Sequence, residues 1–117
     1  MIETAIGSSH VKHIDRLNRR QVRKLGSSAV YRACRKLRAK GVTPLTAVDD
    51  LSVHALGPWV DDFAYGLTSA ALREGISISG GEMAQMGSSY YPGAVGVVVY
   101  VTGIRMIPAR VVVTIPR

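Results

Sequence analysis

The chain has 117 residues, of which 47% are hydrophobic and 20% charged, so it is too rich in apolar residues for disorder and too short for two full domains. Its net charge of +7 is front-loaded: residues 1–40 carry eleven Lys and Arg against Glu3 and Asp15, whereas residues 41–117 are slightly acidic. An enzyme that needs a cleft between two large domains must therefore find its second half in another chain.

From Ser8 to Gly26 the residues Val11, Ile14, Leu17, Val22 and Leu25 recur at three to five positions, which predicts a helix with Asp15 and Arg19 as an i,i+4 pair. A second helix is expected from Ser27 to Gly41, with Val30, Cys34 and Leu37 on its inner side. The two are read as a helical hairpin or as one kinked helix, and they divide the chain into a basic segment (1–41) and an α/β core (42–117) within one compact domain. A lone cysteine between Arg32 and Arg35 fits a reducing compartment and a small apolar filler.

After Gly41, β-branched residues, Gly and Pro take over. Strands are expected at Leu45–Val53, Ile76–Ser79, Ala94–Val101 and Arg110–Ile115, a turn at Leu56–Pro58, and a short helix at Leu67–Glu74 closed by Gly75. The fold class is α+β (mixed α/β): a small sheet of about four strands, two basic N-terminal helices and one short helix. The start MIETAIGSSH lacks the apolar segment of a signal peptide, and the run from Ala94 to Val101 is too short to span a bilayer. The expectation is a cytoplasmic protein with no membrane partner.

Acidic residues are scarce after residue 40, and five of the six fall in Asp49-Asp50, Asp61-Asp62 and Glu82. Asp49 and Asp50 offer the oxygen ligands that Mg²⁺ prefers. Gly80-Gly81, directly after a strand and before Glu82, lets the backbone approach a phosphate or ribose closely, or else makes a tight turn. No Walker motif, G-x-G-x-x-G or G-x-S-x-G is present, and His10, His13 and His54 have no metal-ligand spacing. The cations Arg16, Arg19, Arg20, Arg23, Lys24, Arg32, Arg35 and Lys36 form an alternative working surface, an electrostatic footprint for nucleic acid or another polyanion.

Val48-Asp49-Asp50-Leu51 with Gly57-Pro58 and Asp61-Asp62-Phe63-Ala64-Tyr65 resembles the V-N-D-L-x-x-x-G-A-x-P…D-Y segment of the aminoimidazole ribonucleotide (AIR) synthetase family. Gly75 to Met86 is similar to that family's G-x-x-x-x-G-G-E-T-A-E/Q-M, and Gly93 to Val98 to the apolar strand that follows it. The resemblance implies ATP-dependent ring closure on a phosphoribosyl substrate in purine biosynthesis (a phosphoribosylformylglycinamidine cyclo-ligase), with ATP and Mg²⁺ as cofactors and a homodimer. It makes Asp50, Gly80, Gly81 and Glu82 nucleotide-binding, with Asp49 and Asp50 at the metal. The family's D-G-V-G-T-K loop is missing, as is its C-terminal domain, so catalysis is expected to need a completing chain; the catalytic residues themselves stay unassigned.

Overall fold

The computed structural model describes residues 1–105. A four-stranded mixed sheet carries both α-helices on one face, and its strand order is β1-β4-β2-β3. Strands β1 (Ile2–Val11) and β4 (Val95–Ile104) are antiparallel, β4 and β2 (Thr43–Val53) are antiparallel, and β2 and β3 (Ser77–Gln85) are parallel. The parallel pair is joined by α2 (Val60–Glu74), and β1 is joined to β2 by α1 (Arg19–Ala39). The expected α+β class with a small sheet is the one found.

The front end differs from the expectation. Residues 2–11 are a strand, followed by a short 3₁₀ turn at Ile14–Arg16, and only one basic helix follows. Its start is set by Asn18, whose side chain accepts from the Gln21 backbone while the Gln21 side chain accepts from the Asn18 backbone, a capping box. The helix runs unbroken through Gly26-Ser27-Ser28, so there is neither a hairpin nor a second helix. Gly26 is not a terminator. A Cβ there would lie 2.7 Å from the Phe63 carbonyl oxygen of α2, so the glycine is where the two helices touch.

Val22, Leu25, Ala29, Val30, Ala33, Cys34 and Leu37 recur at helical spacing and bury one face of α1 over β1 and β4. From below they meet Val95, Val97, Val99 and Val101, the inward-facing alternate residues of β4, and Val53 of β2. Helix α2 packs chiefly on α1 and contributes Phe63, Leu67, Ala70 and Ala71 to the same core. It is longer than the expected Leu67–Glu74 but ends where expected, at Gly75 in the left-handed conformation (φ 71°).

Among the described residues the opposite face of the sheet carries no helix. Ile2, Ile6, Val48, Tyr100 and Ile104 share that face by register and are 37–72% exposed. The described residues therefore cover the continuous apolar run of β4 on one side only, although the sequence suggests burial on both. The expected strand Arg110–Ile115 lies outside the described residues.

Candidate functional site

Strand β3 does not stop at Gly80-Gly81, where the sequence suggests its end, but pairs with β2 as far as Gln85. A bulge at Ser79 resets the ladder, after which Val48 faces Gly80, Asp49 faces Gly81 and Asp50 faces Glu82. Strand pairing alone thus brings Asp49 and Asp50 beside Gly81 and Glu82, with Gly80 next in line opposite Val48. A shallow cavity of about 400 Å³ is lined by Val48, Asp49, Asp50, Gly81, Glu82 and Tyr100. Val48 and Tyr100 were not singled out in the sequence, because their place depends on β4 lying next to β2.

Alternation along the strands divides the carboxylates between the two faces. Asp50 and Glu82 stand with Val48 and Tyr100 on the open face. Asp49 falls in step with the buried Ala47 and Leu51 on the helix-bearing face and leans over Gly81, where an added Cβ would lie 2.3 Å from Asp49 Oδ1. Burial pushes the Asp49 carboxyl up from its ordinary value, and the neighbouring Asp50 adds to the rise, while a hydrogen bond from its own backbone opposes it.

Oxygen donors of this kind suit a hard cation. Among the described residues no three His, Cys, Asp or Glu side chains converge into a metal cluster. A Mg²⁺ ion fits here only in the manner usual for that ion, held by one or two carboxylates while phosphate oxygens and water complete its octahedron.

Asp61 and Asp62 are not part of this site. They occupy the first turn of α2, where carboxylates favour the helix dipole, and Asp62 accepts from Arg23 Nε at 3.0 Å and Arg19 Nε at 3.3 Å. Arg19 therefore pairs across to α2 and not with Asp15. Arg23 also lies 4.2 Å over the Tyr65 ring. Arg32 donates to the Ser8 carbonyl at 2.5 Å and Lys36 to that of Ile6 at 2.6 Å, which caps the outer edge of β1. Of the eight cations in the predicted polyanion surface, Arg16, Arg20, Lys24 and Arg35 have no such partner among the described residues.

The sequence profile described as AIR synthase related protein, N-terminal domain, matches residues 2–105. No curated protein matches the chain. Among solved structures, thiamine monophosphate kinase from Aquifex aeolicus is 17% identical with a TM-score of 0.66, covering 88% of this chain and 34% of that one. PurL of T. maritima, in its complex with ATP, is 21% identical with a TM-score of 0.68, covering 90% of this chain and 17% of that one. The hydrogenase maturation protein HypE of E. coli is 16% identical with a TM-score of 0.60, covering 86% and 32%. These likenesses establish the fold, and the chain spans about a third or less of each of these proteins. The three are a thiamine monophosphate kinase, PurL and a hydrogenase maturation protein, and they do not single out AIR synthetase.

Proposed function

The chain belongs to the AIR synthase related N-terminal domain family, and we propose that it is a nucleotide-binding domain of that family, taking Mg-ATP at the β2–β3 edge and acting in purine biosynthesis as a reduced AIR-synthetase-like cyclo-ligase domain. The observation that carries this reading is the register of Asp50 against Glu82 beside the side-chain-free backbone of Gly80-Gly81. Gly80 leaves room for a phosphate or ribose at the strand edge, Gly81 lets Asp49 lie against the backbone, and the carboxylates supply oxygen to the cation that accompanies the phosphates. Asp50 and Glu82 face the open side together, and Asp49 adds negative charge from behind. When bound, Mg²⁺ would neutralise phosphate charge next to these acids.

The ATP complex of the T. maritima PurL and the AMPPCP and TMP complex of the Aquifex thiamine monophosphate kinase lend the reading support by analogy of fold. Catalysis would draw on a completing chain. The homodimer or partner would cover the open sheet face, where Ile6, Val48 and Tyr100 lie side by side next to Asp50. A cytoplasmic location accords with the single reduced Cys34 and with the lack, among the described residues, of any helix long and apolar enough to cross a membrane.

Calorimetric titration with Mg-ATP tests the proposal. Binding that is lost in Glu82→Gln and Asp50→Asn is expected, and absence of nucleotide binding alongside salt-dependent binding of duplex DNA overturns it. The second outcome belongs to the alternative reading of α1 as a polyanion surface, for which Arg16, Arg20, Lys24 and Arg35 are the cations still uncommitted.

A further inference from the structure

At the opposite edge of the sheet from the acidic site, a groove of about 360 Å³ runs between β1 and α1. Its helix wall is Gln21, Lys24, Ser28 and Arg32, whose spacing of three and four residues stacks them on one side of α1. Below them Val11, Leu17 and Leu25 give it an apolar floor. The groove is held in shape at two points, because Ser9 Oγ donates to the Leu25 carbonyl at 2.6 Å and Arg32 Nη1 donates to that of Ser8.

Each polar side chain on the helix wall offers an N–H or O–H donor, and no Asp or Glu lines the groove. Lys24 and Arg32 have no carboxylate within 4.0 Å among the described residues, in contrast to Arg19, Arg23 and Arg38 of the same helix. Arg32 spends one N–H on Ser8, which positions the guanidinium and leaves the rest of its fork to a ligand. Two uncompensated cations beside an apolar floor select an anion attached to an apolar body. A row of donors along one wall, with cations at Lys24 and Arg32, suits a phosphoryl group, whose three acceptor oxygens point in different directions, better than a planar carboxylate.

We propose that this groove binds a small organic phosphomonoester without a metal ion, its phosphoryl group between Lys24 and Arg32 and its organic part on Leu17 and Leu25. The site is separate from the acidic cavity on β2 and β3, which would repel the same group unless a cation came with it.

Titration of the full chain with phenyl phosphate in the presence of EDTA, followed by backbone amide chemical shifts, tests this. Saturable shifts along residues 21–32 are expected, with phenyl phosphate bound several-fold more tightly than inorganic phosphate because only the former uses the floor. Lys24→Gln, an exposed change that leaves the β1 contacts intact, weakens binding about tenfold, and Arg32→Lys, which keeps the charge but loses the fork, also weakens it. Asp50→Asn leaves it unchanged, so this proposal and the Mg-ATP reading can fail separately. The proposal is overturned by no saturation up to ~10 mM, by binding indifferent to Lys24→Gln, or by equal affinity for phenyl and inorganic phosphate. Duplex DNA binding far more tightly at these residues, and falling when Arg20 and Arg35 are neutralised, would replace it with an extended polyanion surface.

Discussion

Gly81 lies opposite Asp49 in the parallel β2–β3 ladder, so close that a methyl group on it would sit 2.3 Å from Asp49 Oδ1 and 2.7 Å from the Asp49 carbonyl oxygen. Its neighbour Gly80 has nothing within 4 Å of the same imaginary atom. The two glycines are alike in sequence and unlike in constraint. Gly81→Ala is expected to displace Asp49 or the strand edge and to weaken Mg-ATP binding at least tenfold, whereas Gly80→Ala keeps the fold at its full melting temperature. Paired titrations and thermal melts of the two variants check this.

The Asp49 carboxyl titrates above its unfolded value because it is partly buried next to Asp50. A carboxyl with a raised folded pKa makes the native state the better proton binder, so stability is highest below the ordinary Asp value of about 3.9 and falls as pH rises from there through the folded pKa. In the metal-free chain, Asp49→Asn should flatten this part of the profile and leave the protein more stable above it. Urea melts from acid to neutral pH read the difference.

Cys34 is fully buried on α1, and its thiol is pushed up to about 12, first by burial and then by the nearby Glu74 charge. The native protein should therefore resist a thiol reagent at pH 8, with labelling limited by unfolding. Rapid labelling in native buffer would contradict the packing described for α1.

Gly66 of α2 faces the Arg23 carbonyl of α1, which lies 1.8 Å from where a Cβ would be, and Gly26 makes the reciprocal approach to Phe63. Gly66→Ala must push the helices apart although alanine is the better helix former, and a loss of about 3 kcal/mol is expected in chemical denaturation. Leu72→Ala on the same helix, 81% exposed, serves as the neutral control.

The parts of the fold that were legible in the sequence are those whose cause is local. The end of α2 at Gly75, the strand before His54 and the existence of the strand at Val95 to Val101, though not its one-sided burial, follow from backbone freedom and β-branching. The parts misread depend on distant neighbours. Residues 2–11 carry a weak period-two pattern and become a strand because β4 pairs with them along their whole length. Gly26 reads as a stop until α2 is known to lie against it. Likewise Gly80-Gly81 reads as a turn until β2 is known to run past it, and Asp61-Asp62 reads as a carboxylate pair like Asp49-Asp50 until Arg19 and Arg23 are found folded over Asp62. Within the acidic site the residue types were legible but the partnership of Asp50 with Glu82 was not, since it arises from register across 32 residues of chain.

The contacts of Arg32 with Ser8 and of Lys36 with Ile6 give the sheet a polarity. Hydrogen-bonding groups on the β1 side are stoppered by long cationic side chains, whereas no described residue pairs with the outer rim of β3 from Gly80 to Gln85, where Glu82 is the one charge. Growth of the sheet by another chain is therefore directional, with one sealed end and one live end. The live end is the strand that carries the acidic site, so any strand added there would border Glu82 and Asp50 directly, and the front-loaded positive charge acts as the terminator of the sheet.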